Sequence, residues 1–432
     1  MFKYFHQIWR STTLRKKILF TLAILLVYRL ASHITVPGVN IDALGRIFEQ
    51  NSLLGVFSVL TGGGMDSFSI VLMGLSPYIN ASIILQLMTV VIPKLEALSK
   101  EGMEGRRKIN QYTRLLTIPL AFLQSYGMII LLNQSSQGSL ISNVSDPAVV
   151  IPIMLIVTAG TLFLMWLGEL ITENGIGNGI SLMIFASIIS GMPGVVGRIL
   201  GIAQGGDTTK LTYFILFIGL TILMLIFVVL ITEGQRNIPI TYATRATGGK
   251  GEKANLPIRV NQAGMIPIIF AISMMTFPSV VAQFFNGSQS ETLHSIGGFI
   301  LKYFNATNPT YLYMVLYFLL IIAFSYFYIS VTFNPDQVAE NIQKRGGFIP
   351  GIRPGSQTAD FLANVSSRMN LFGGIFLGIV ATLPILFTKY TTLSSSDLII
   401  SGSGLIIVVG VVLELIRQID AQLVMHDYDK LY

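Results

Sequence analysis

Few residues in this chain are suited to chemistry. The glycine run "GIGNGIS" at 175–181 is the nearest thing to a phosphate-binding loop, but its spacing is GxGxG and no strand pattern leads into it. Apolar segments flank it on both sides, so the glycines are read as serving a tight turn. The GxxxxGKS/T pattern of a nucleotide-binding loop is absent, so any nucleotide hydrolysis that drives this protein belongs to a partner. Cysteine is absent too, which removes disulfides, thiol nucleophiles and thiolate metal ligands. His6, His33, His294 and His426 are too scattered to suggest a metal site. The chain reads as neither an enzyme nor the holder of a cofactor.

The remaining polar candidates lie inside apolar segments. "GLSPYINASIILQ" at 74–86 places Pro77 in mid-helix, with Asn80, Ser82 and Gln86 close by. Such side chains bond across to neighbouring helices in a membrane, each bond contributing roughly 0.6–2 kcal/mol. They are either ordinary helix glue or the contacts of a seam that opens. Arg29, Glu169, Glu233 and Glu414 fall near the ends of apolar segments, where long side chains snorkel to the interface. No segment carries a charge near its centre, which weighs against proton- or sodium-coupled transport. A secondary transporter of a neutral solute, built from inverted repeats, stays open as an alternative.

The elements that must position these residues follow from composition. Of 432 residues 52% are hydrophobic and only 11% charged, against about 25% in a soluble domain. This is the composition of a polytopic membrane protein. Ten helical spans are expected, at 18–36, 69–92, 115–133, 149–170, 180–199, 211–232, 264–284, 311–332, 369–388 and 398–416. The first reads as an uncleaved span, since no small-residue cleavage site follows it. With both termini in the cytoplasm, 22 of the 28 Lys and Arg residues fall in inside segments, as the positive-inside rule requires. Two sets of five spans imply an inverted repeat, with the working site between the halves. The expected division is an N-terminal half at 1–232, a docking loop at 233–263 and a C-terminal half at 264–432.

Two inside loops, 233–263 and 333–368, are longer than most connections between packed elements. The first carries Arg236, Arg245, Lys250, Lys253 and Arg259; the second presents Arg353 within "RGGFIPGIRPG", a series of glycine and proline turns. Basic projections on one face suit anionic lipid, or a large partner with acidic or phosphate-bearing surface. One further stretch is odd. "LLGVFSVLTGGG" at 53–64 holds an apolar helix whose eight residues rise only about 12 Å, too short to cross a hydrocarbon core of about 30 Å.

These segments resemble the SecY family along nearly the whole chain. The resemblance is carried by "VYRLASHITVPGVN" at 27–40, "SIVLMGLSPYINASIILQLMTVVIP" at 69–93, "EGMEGRRKINQYTR" at 101–114 and "FLMWLGELITENGIGNGISLMIFA" at 163–186. It continues in "LPIRVNQAGMIPIIFA" at 256–271, "FNPDQVAENIQKRGGFIPGIRPG" at 333–355 and "GSGLIIVVGVVLELIRQIDAQL" at 402–423. The resemblance implies an all-α polytopic fold, in which ten helices form two inverted halves around an hourglass pore with a short re-entrant plug helix. It implies a channel subunit in a bacterial plasma membrane that passes unfolded polypeptides and releases apolar segments sideways through a lateral gate. An accessory-export member devoted to a few substrates remains an alternative.

The same resemblance suggests roles for particular residues. The pore ring would be Leu75, Ile79, Ile180, Ile184, Ile269 and Ile407, with Leu75 standing where isoleucine is frequent in the family. The plug would be formed by Leu53, Val56, Phe57 and Leu60, hinged at Gly62, Gly63 and Gly64. Asn80 and Gln86 would face Asn261 across the lateral gate, and Arg245 and Arg353 would dock partners. The implied partners are SecE-like and SecG-like small membrane subunits, the SecA motor ATPase, the ribosome, signal sequences with their unfolded polypeptides, and membrane lipid.

Overall fold

The computed structural model describes residues 9, 11–40, 67–135, 140–141, 146–204, 208–242, 252–286, 291–304, 309–391 and 402–429. The plug stretch at 53–64 and Arg245 lie outside the described residues. The helices are α1 (Thr12–Ala31), α2 (Ser76–Val91), α3 (Pro93–Lys100), α4 (Met103–Ser135), α5 (Pro147–Asn174), α6 (Gly179–Gln204) and α7 (Thr208–Glu233). After strands β1 (Gln235–Tyr242) and β2 (Glu252–Arg259) come α8 (Ile266–Asn286), α9 (Glu291–Tyr303), α10 (Tyr311–Thr332) and α11 (Pro335–Lys344). Strand β3 (Gly347–Phe348), α12 (Ser356–Tyr390) and α13 (Gly402–Asp429) complete the order. Each of the ten expected spans overlaps one helix, α1, α2, α4 to α8, α10, α12 or α13. Among the described residues six helices are long and apolar enough to cross a membrane, and α2 with α3, bent by 102° at Ile92–Pro93, makes a seventh. Helix α1 falls short of that test because Arg15, Lys16, Lys17 and Arg29 lie within its 20 residues.

Local chemistry sets the helix ends. Asp146 accepts the amide of Ala148 at 3.0 Å ahead of Pro147, and Asn334 accepts that of Gln337 at 3.1 Å ahead of Pro335. Both are N-caps followed by proline in the first turn, where its missing N–H costs nothing. The same rule corrects the reading of span two. Its helix begins at Ser76, not at residue 69, and Pro77 occupies the first turn instead of mid-helix. Residues 67–75 are turns, with Phe68 at φ +41° and Gly74 at φ +55°.

That unwound segment is tolerated because it is buried in protein and its backbone is satisfied. Val36 donates to the carbonyl of Phe68 at 3.0 Å, and Ile70 donates to that of Ile34 at 2.9 Å. Phe68, Val71 and Leu72 are fully buried. Gly160 of α5 makes the packing possible, since a Cβ there would lie 1.8 Å from the Ile70 carbonyl oxygen.

The described parts of the two long loops, 233–263 and 333–368, form one body. Strand β1 pairs antiparallel with β2 from Gln235↔Arg259 to Tyr242↔Glu252, and β3 joins β1 through Thr241↔Phe348 and Tyr242↔Gly347. The sheet order is β2-β1-β3. Ile238, Ile240 and Ile258 are buried with Ile342, Ile349, Leu362 and Val365 from α11, the β3 turn and α12. The expected all-α architecture therefore carries a small sheet at this end. At 35 residues α12 is about 52 Å long, so it reaches from this sheet through the full thickness of a membrane.

Candidate functional site

Near the middle of the molecule α1, α2, α5, α6, α8 and α13 converge on a cavity of about 80 Å³. Five of the six expected ring residues line it: Leu75, Ile79, Ile184, Ile269 and Ile407. Leu75 is delivered by the Gly74 turn that ends the unwound segment, and Ile79 follows one helical turn later. Ile180 is not on the wall. It packs in the same apolar cluster, with its Cγ1 directed at Gly168 of α5.

Among the described residues the lining has no carboxylate, ammonium or guanidinium. Its polar side chains are those of Ser76, Ser187, Ser273 and Tyr28. The Ser187 hydroxyl donates to the Met183 carbonyl at 2.9 Å, so the Tyr28 hydroxyl donates to Ser187 Oγ, 2.5 Å away. Tyr28 and Ser187 were missed from sequence, because nothing in local spacing relates residues 159 positions apart. Ser273 was legible in principle, one helical turn beyond Ile269 on the same face of α8. Apolar walls that cannot replace an ion's hydration resist wetting, so the geometry is that of a narrow apolar constriction.

The "GIGNGIS" turn uses most of its amides itself: Gly175 donates to the Ile171 carbonyl at 2.7 Å, Ile176 to Thr21 Oγ1 at 3.2 Å and Gly179 to Thr172 Oγ1 at 2.9 Å. Asn178 Oδ1 takes the amides of Ile180 and Ser181. Gly177 supplies the turn at φ +84°, whereas Gly179 is required by close approach, a Cβ there lying 1.9 Å from the Gly168 carbonyl oxygen.

The expected gate residues do not meet through hydrogen bonds. Gln86 donates to Ser82 at 3.2 Å within α2, and Asn80 is half-buried on the same helix. Asn261 precedes α8 and closes its own turn, with Oδ1 accepting the amide of Gly264 at 2.9 Å. Among the described residues no hydrogen bond joins Asn80 or Gln86 to Asn261. Arg353 is exposed in a turn framed by Gly351 at φ +82° and Gly355 at φ +102°.

Two of the charges expected to snorkel are paired instead. Arg114 Nε lies 2.6 Å from Glu169 Oε1, joining α4 to α5, and Arg417 Nη2 lies 2.5 Å from Glu233 Oε1, joining α13 to α7. Beside the second pair, partial burial holds the Arg259 guanidinium below its ordinary pKa, and the like charge of Arg417 adds to this while Glu233 and Glu414 oppose it.

A bundle of long apolar helices converging on an apolar cavity defines a multi-pass helical membrane protein. The comparisons with known proteins give that class a family. The SecY family profile matches residues 69–416. The protein translocase subunit SecY of Halalkalibacterium halodurans is 42% identical, with 99% of each chain covered, and that of Bacillus subtilis is 41% identical, again with 99% of each covered. Among solved structures, a protein-conducting channel aligns at TM-score 0.65 over 95% of this chain and 93% of that one, at 18% identity. Sec61 in a canine ribosome–channel complex from the endoplasmic reticulum aligns at 0.64 over the same shares, at 19% identity. The chain belongs to the SecY family.

Proposed function

We propose that this chain is the channel-forming subunit of a protein translocase, passing unfolded secretory polypeptides across a bacterial plasma membrane and releasing apolar segments into lipid. The observation that carries the reading is the convergence of Leu75, Ile79, Ile184, Ile269 and Ile407, from distant parts of the chain, on one apolar cavity. Rims of this kind deform around an extended chain of any sequence, because dispersion contacts are not directional. The family relatives named as translocase subunits and the neighbours described as protein-conducting channels support it.

Ten helices cross the membrane in this reading, as two inverted halves with both termini cytoplasmic, and 53–64 forms the plug over the ring. The lateral gate lies where α2 and α4 pack against α8. The sheet, with Arg353 on its neighbouring turn and Arg245 in the loop between β1 and β2, is the dock for the SecA motor and the ribosome. Small SecE-like and SecG-like subunits complete the complex.

The test is site-specific photocrosslinking. A photoreactive residue at position 184 or 407 is expected to capture an arrested secretory polypeptide in membranes, while the same probe at Leu319, exposed on α10, labels lipid. Labelling of lipid or of the channel alone from positions 184 and 407 overturns the reading.

A further inference from the structure

Helix α9 has two apolar faces, and the helix bundle accounts for only one of them. Gly297 is buried, Ile300, Leu301 and Phe304 are half-buried, and Phe304 packs against the central core cluster. The spacing i, i+3, i+4, i+7 of these four residues is the face that lies on α8. A second stripe one step round the helix points away from the bundle: Ile296 is 49% exposed and Phe299 63%. Tyr303 continues it, with its ring centroid 4.6 Å from that of Phe299 and the Lys302 ammonium 5.9 Å from the Tyr303 centroid.

Topology says where this stripe sits. The sheet precedes the start of α8 and follows the end of α10, whereas α9 joins the end of α8 to the start of α10. It therefore lies at the opposite end of the bundle from the sheet. At that same end, Lys389 Nζ is 3.4 Å from the Tyr311 ring centroid and donates to the Pro309 carbonyl at 3.3 Å, while the hydroxyls of Tyr311 and Tyr390 are 3.1 Å apart. Tyr311 and Tyr390 are both exposed. Two lysines and three tyrosines thus ring this end, the composition that collects at the level of lipid head groups.

We propose that α9 lies flat in the membrane–water interface on the side away from the sheet, with the Ile296–Phe299–Tyr303 stripe covered by phospholipid and Lys302 at the phosphate level. An interfacial helix of this kind holds one apolar face in the acyl boundary and keeps its charge in water. Here the other face grips α8, so the helix ties α8 to the bilayer surface. The inference rests on reading α8 and α10 as membrane spans.

The experiment uses the full chain in phosphatidylcholine–phosphatidylglycerol vesicles. Its two tryptophans, Trp9 and Trp166, are first replaced by phenylalanine, and Phe299→Trp then supplies a single reporter, with Ile296→Trp as a second one should the first disturb packing. Lipids brominated near the head group are expected to quench the reporter several-fold more than lipids brominated near the chain end, with little quenching by aqueous acrylamide. Acrylamide quenching equal to that of the denatured protein places the stripe in water and overturns the proposal. Protection from both quenchers means that a protein subunit covers it, and overturns it equally. The depth of the reporter is read without any export assay, so a failure here leaves the channel reading standing, and a failed crosslink at position 184 leaves this one standing.

Discussion

Two helix seams in this molecule are built in opposite ways. Between α10 and α12 the backbones approach through glycine: a Cβ at Gly378 would lie 2.6 Å from the Phe318 ring, and one at Gly374 would lie 3.4 Å from Ser325 Cβ. The Ser325 hydroxyl crosses that seam to Asn370 Oδ1 at 2.6 Å. Between α2 and α8, by contrast, no hydrogen bond or ion pair is made among the described residues, and Gln86 spends its amide within its own helix. Helices in lipid gain no hydrophobic drive to associate, so close packing and polar contacts set how firmly a pair is held. The first seam is a weld, whereas the second has no such polar link among the described residues.

The largest expected effect comes from breaking the weld. Gly378→Val forces a branched side chain into the Phe318 ring, and overpacking of this kind costs about 1–3 kcal/mol or more. The folded fraction that survives limited trypsin digestion in detergent should fall severely, whereas Met88→Val on the exposed side of α2 should leave it unchanged. Equal tolerance at the two positions would show that the close approach at Gly378 does not hold α10 to α12.

Locking the seams is the next step, and a chain without cysteine makes it clean. Ile79→Cys with Ile272→Cys, joined across the cavity by a short bismaleimide, should reduce export to background in membrane vesicles. Ser325→Cys with Gly374→Cys places the two Cβ atoms near the separation of about 3.5–4.5 Å that a disulfide prefers. Oxidation of that pair should leave export unchanged, because a weld has no opening to lose. Arrest by the second pair shows that α10 and α12 also separate.

The constriction itself responds to polarity. Ile184→Asn puts an amide into a wall that otherwise offers only hydroxyls, so the cavity wets and the resting channel leaks ions. Conductance across planar bilayers should rise by about tenfold or more, against no change for Ile180→Asn, which is directed at Gly168 and not at the cavity.

How far the sequence carried these conclusions differs by element. Each of the ten apolar stretches coincides with a helix, and six of those helices are long and apolar enough to cross a membrane among the described residues, because length and hydropathy are local properties. Residues 67–75 were read as helix because they are as apolar as their neighbours, and the hydrogen bonds that make unwinding affordable come from Ile34 and Val36, more than thirty positions away. The sheet was hidden for the same reason. "RNIPITY" alternates as a strand does, but β3, Gly347–Phe348, which completes the sheet, is only two residues long and carries no pattern of its own. Six ring residues are expected on family resemblance alone, since aliphatic side chains in an apolar chain bear no signal of function, and five of them line one cavity. Tyr28 and Ser187 had neither spacing nor resemblance to announce them.

The smallest expected effect tests what holds the sheet to the bundle. Glu233 ends α7 just before β1, and Arg417 lies on α13 beyond Ile407 in the chain, so their ion pair links the sheet to the helix that carries Ile407. The Arg417 side chain is 30% exposed and that of Glu233 50%, and an exposed pair of this kind contributes about 0–1 kcal/mol and weakens with salt. The strand ladder and the buried isoleucines around Ile238 and Ile240 are not sensitive to salt in this way. Glu233→Gln and Arg417→Gln should therefore each lower stability in detergent only slightly, the double variant should be no worse than the worse single one, and exchanging the two charges should restore part of the loss. A coupling well above 1 kcal/mol that persists at high salt would mean that charge, and not strand pairing with apolar burial, clamps the sheet to the bundle.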